Sequence, residues 1–150
     1  MNTLTYSITA VIVYLGLAVG FLIAFMSKEE LKFKKYFILG EAFVLGLIVF
    51  FSLVYYLNPY LVCLIALIVV LVLMKYKSFY EKSYIIYPVL AVLFFISSRY
   101  KNLFVVVSSL IFFYGFLVSA LGVDFKEKNY FRLLLKNCSF IVIALIFLIF

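Results

Sequence analysis

The stretch YFILGEAFVLGLIVFFSLVYYL, residues 36–57, decides the fold class. As a helix it reaches about 33 Å at 1.5 Å per residue, enough to cross a hydrocarbon core of about 30 Å. Its one ionisable acid is Glu41, and everything near that residue is hydrocarbon, aromatic or glycine. In lipid a backbone must satisfy its own N–H and C=O groups, and an uninterrupted run of this length does so as a transmembrane helix.

Outward from this stretch the pattern repeats. Of the 150 residues, 69% are hydrophobic and 13% charged, against roughly 45–50% and about 25% in soluble domains. So few polar groups cannot cover a water-facing surface, so the solvent is lipid. Short polar breaks divide the chain into spans at about 5–26, 36–57, 59–74, 83–98, 103–123 and 130–150. The expected fold is all-α: a single domain, 1–150, forming a compact bundle of six transmembrane helices. The first run has no basic residues before it and is longer than a signal-peptide core, so it reads as a retained span. Asn58 and Pro59 suit the cap and first turn of the third helix, which predicts a tight hairpin with the second. The third span covers only about 24 Å, and Tyr76 and Tyr80 extend it. Pro88 falls in the second turn of the fourth span, where it removes one backbone hydrogen bond.

The last span has two readings. Started at Tyr130 it is long enough to cross and includes Arg132 and Lys136. The rival is an interfacial helix over 125–137, with Lys128, Arg132 and Lys136 as its wet stripe, before a short stub. The long span is preferred because the stub would leave a terminal carboxylate in hydrocarbon.

Charge orients the bundle. The net charge is +7. The loops 27–35, 75–82 and 124–129, with the adjoining Arg132 and Lys136, hold eleven of the 13 Lys and Arg; Arg99 and Lys101 are the other two. By the positive-inside rule those loops are cytoplasmic and both termini face outward. The basic residues at span ends imply attraction to anionic lipid headgroups at the cytoplasmic face rather than binding of nucleic acid. Tyr6, Tyr55, Tyr56, Tyr60 and Tyr100 fall near the outer boundary, and Tyr36, Tyr76, Tyr80, Tyr84 and Tyr130 near the inner one, as an aromatic belt. Tyr14, Tyr87 and Tyr114 fall deeper and need hydroxyl partners.

Glu41 is the candidate functional residue. It lies about 7–8 Å inside the boundary marked by Tyr36, where an unpaired carboxylate costs a few kcal/mol. Arg132 and Lys136 reach similar depths on the last span, so a pair joining spans two and six is expected. Tyr87 and Ser119 would complete a cytoplasmic-side polar cluster. Gly16 and Gly20 form a G-x-x-x-G, a candidate seam for close helix packing. Gly20-Phe-Leu-Ile-Ala and Gly115-Phe-Leu-Val-Ser echo one another, each followed by a charged turn and Tyr-Phe. This suggests equivalent hairpins flanking the third and fourth spans.

Catalytic signatures are missing. There is no histidine, no second intramembrane acid and no C-x-x-C, so no metal, cofactor or disulfide framework is indicated. Ser108 and Ser109 have no base nearby in sequence. Cys63 and Cys138 fall at opposite depths and read as buried, inert thiols. Three function classes remain. The first is a structural or accessory subunit, a non-enzyme that associates with itself or with a membrane-protein partner. The second is a small transporter or channel using the Glu41 cluster. The third is a lipid-modifying enzyme.

Overall fold

The computed structural model describes residues 2–26, 34–75, 83–122, 135 and 137–147. Among them the protein is all-helical, with six helices: α1 (Thr3–Met26), α2 (Lys34–Val54), α3 (Pro59–Lys75), α4 (Ser83–Ser97), α5 (Lys101–Gly122) and α6 (Ser139–Ile146). Three of these, α1, α2 and α5, are long and apolar enough to cross a membrane. Shorter apolar stretches, Pro59–Val72 and Ile85–Ser97, lie in α3 and α4.

Local chemistry sets the helix ends. The Tyr60 N–H donates to Asn58 Oδ1 at 3.1 Å, and the Val62 N–H to the Asn58 carbonyl at 3.1 Å. Asn58 thus caps α3 by occupying one of its orphan donors, with Pro59 behind it needing none. At the end of α4 the chain tightens, with the N–H groups of Ser98 and Tyr100 donating to the carbonyls of Phe95 and Ser97. The Ser97 and Ser98 hydroxyls donate to the carbonyls of Phe94 and Phe95 at 2.7 and 2.6 Å. These side chains supply donors to carbonyls at the helix end. The helix α4 runs unbroken through Pro88.

Helix directions follow from the contacts. Along α1 and α5, Tyr6 meets the ring of Phe104 at 5.9 Å and Gly20 meets Phe116, so the two run parallel. Opposite in direction to α5 is α2, since Glu41 meets Tyr114 and Tyr55 stacks on Tyr100 at 5.0 Å. The same holds for α4, through Tyr87 with Tyr114 at 5.7 Å and Phe94 with Phe104 at 4.8 Å. Parallel to α4 runs α6, with Phe140 against Tyr87 and Phe147 stacked on Phe95 at 4.7 Å.

The centre of the bundle is α5, which packs against α1, α2 and α4. More than half of its most apolar stretch is buried, against a third in α1 and α2. The core around it is aromatic, with Phe94, Phe104, Tyr114 and Phe140 all buried. At the periphery, α3 packs chiefly on α2.

Tyr6, near the start of α1, is 6% exposed, with its ring against Phe94 and Phe104. One expectation needs correction. Cys63 is exposed rather than buried. With one main neighbour, α3 buries Val62 and turns the next position about 100° away. The echoed segments lie side by side in the α1–α5 contact, where their glycines let two backbones approach.

Candidate functional site

The site is built on α2, α5 and α4. Glu41 is 3% exposed and lies between Gly40 and the buried Ala42. Its side chain reaches α5, where the Tyr114 hydroxyl donates to Glu41 Oε1 at 3.3 Å in a buried setting. That is a long hydrogen bond. Glu41 is the only acid among the described residues.

Tyr114 is fully buried, and its ring leans on that of Tyr87 at 5.7 Å. Tyr87 is also buried, and a Cβ on Gly115 would lie 3.3 Å from its hydroxyl oxygen. The small residue at 115 is what makes room for that oxygen. The Tyr87 hydroxyl has no hydrogen-bond partner among the described residues. Further along, the Tyr14 hydroxyl of α1 donates to Cys138 Sγ at 3.6 Å, just before α6. The Ser119 hydroxyl of α5 donates to the Leu17 carbonyl of α1 at 2.7 Å.

Glu41 and Tyr87 thus meet through Tyr114, a residue not assigned to the cluster from the sequence. Its signal was present, since Tyr114 is a deep tyrosine in need of a partner. Ser119 is spent on the α1 backbone rather than on Glu41. Arg132 and Lys136, the expected partners of Glu41, lie outside the described residues, as does the segment that distinguishes the two readings of the last span. Gly16 and Gly20 lie against the backbone of α5. A Cβ on Gly16 would meet the Phe112 carbonyl, and one on Gly20 would sit 2.6 Å from Phe116 Cα.

No group of three or more His, Cys, Asp or Glu able to hold a metal occurs among the described residues. Two cavities open elsewhere. A groove of about 910 Å³ runs between one face of α1 (Thr5, Thr9, Ile12) and one face of α5 (Val105, Ser109, Phe113), with Arg99 and Lys101 at its end. Three of its hydroxyls are bonded to their own helices. Thr9 donates to the Thr5 carbonyl at 2.7 Å, Ser109 to that of Val105 at 2.8 Å, and Ser108 to that of Phe104. A second cavity of about 440 Å³ lies between α2 and α5 near Tyr55 and Asn102. Neither is lined by Glu41.

Comparison with protein-family models, with curated proteins and with solved structures finds no match.

Proposed function

We propose that the protein is a six-span membrane protein of structural role, an accessory subunit of a membrane assembly. Its termini face outward and its three basic loops face the cytoplasm. The alternating helix directions support six passes, and the asymmetry of Lys and Arg supports the orientation. One observation carries the structural role: three polar side chains engage neighbouring helices. Glu41 takes the Tyr114 hydroxyl, Ser119 gives to Leu17 and Tyr14 gives to Cys138. Hydrogen bonds of this kind hold membrane helices together where the hydrophobic effect between helices is weak.

Purification in mild detergent tests this reading. A stoichiometric complex with itself or with another membrane protein is the expected result, and it survives Glu41→Gln because glutamine retains an acceptor oxygen for Tyr114. A clean monomer is the opposing result.

A second reading, a proton or cation pathway through Glu41, is favoured by the Tyr87 hydroxyl, buried beside the pair with no hydrogen-bond partner among the described residues. Under this reading Glu41→Gln abolishes uptake into vesicles while the fold persists.

A further inference from the structure

We propose that the groove between α1 and α5 is a binding site for one phospholipid with an anionic headgroup, its phosphate at Arg99 and Lys101 and an acyl chain along the groove. The argument begins with length. From Lys101 to Phe113 the groove extends about 18 Å along α5 at 1.5 Å per residue. That is close to half of a hydrocarbon core of about 30 Å, the depth of one leaflet. The lining residues recur every three or four positions on each helix, so they form two facing walls rather than a scatter.

Wall chemistry is the second observation. The hydroxyls of Thr9, Ser108 and Ser109 are already bonded to backbone carbonyls of their own helices. They therefore ask for no partner from an occupant, and the remaining surface of Ile12, Val105 and Phe113 suits hydrocarbon.

Charge fixes the class of headgroup. Arg99 and Lys101 are exposed, and they are the only two of the 13 basic residues outside the three basic segments. The acids other than Glu41 lie in 27–35, 75–82 and 124–129, which by connectivity join the opposite ends of the helices. Among the described residues the groove end is therefore locally cationic, with no carboxylate side chain lining it. A second copy of the chain would bring the same two cations to this end and repel.

Native mass spectrometry of the full chain in detergent, titrated with phosphatidylglycerol or with phosphatidylcholine of the same acyl chains, tests the site. Each basic side chain at a membrane surface strengthens attraction to anionic lipid about fivefold, so the double variant R99Q/K101Q should bind phosphatidylglycerol about thirtyfold more weakly. The control K28Q/K32Q, in the loop 27–35, should retain most of its affinity. Filling the groove with Ser109→Phe should weaken both lipids while leaving the charges in place. Arg99 and Lys101 are exposed, so that double variant reads binding even where the groove-filling one misfolds. The proposal is overturned if the two lipids bind wild type equally, if R99Q/K101Q binds as wild type does, if K28Q/K32Q loses as much as R99Q/K101Q, or if a dimer forms through this face in place of lipid.

Discussion

Two helices of this bundle, α3 and α5, make an instructive pair. Both are apolar, and α3 is the more uniformly so, with no serine, threonine or glycine in its seventeen residues. Yet α5 sits at the centre with three neighbours, while α3 lies at the edge on one. In water the more apolar helix would be expected inside. In lipid, burial of hydrocarbon against hydrocarbon gains little, and what draws a helix inward is small residues and hydrogen bonds. Those belong to α5: Gly115 against the α1 backbone, Tyr114 on Glu41 and Ser119 on Leu17.

The same substitution made in the two regions should break this contrast most clearly. At Gly20 a Cβ would stand 2.6 Å from Phe116 Cα, and backbone cannot turn aside. Gly20→Ala should destabilise the bundle by about 2–3 kcal/mol, the range for overpacking a tight contact, measured as unfolding free energy in mixed micelles. Glu41→Ala should follow at about 1–3 kcal/mol, because it leaves the buried Tyr114 hydroxyl unpaired, whereas Glu41→Gln should stay within about 0.5 kcal/mol of wild type. Asn58→Ala, at the start of α3, should cost about 1 kcal/mol by uncapping the helix. Smallest of all should be Gly46→Ala at the α2–α3 contact. There the Cβ meets a Val70 methyl, a side-chain atom rather than backbone, and the gain in helix propensity of up to about 1 kcal/mol offsets part of the crowding. A loss at Gly46→Ala as large as at Gly20→Ala would remove the distinction between seam and edge.

The helices were legible because long apolar runs between polar breaks announce themselves. Polar breaks and the Asn58 and Pro59 pair bound them, and in lipid nothing but a helix suits the runs between. Which helices touch was far less legible. In a water-soluble bundle a polar stripe on each helix shows which face turns outward. Here α3 and α6 are apolar on all sides, so sequence offers no such compass. That is why Cys63 was assigned to the interior. Depth alone was available for Glu41, and depth selected Arg132 and Lys136. Tyr114 stood slightly deeper in α5, in an apolar run, and only the packing of α5 on α2 brings its hydroxyl to the carboxylate.

A double-mutant cycle between Glu41 and Tyr114 tests most directly whether this pair holds α2 to α5. Unfolding free energies of wild type, Glu41→Ala, Tyr114→Phe and the double variant, measured in one detergent system, give the coupling. The predicted value is about 0.5–1.5 kcal/mol, the range of hydrogen bonds between membrane helices. Effects that add within about 0.3 kcal/mol would contradict the account.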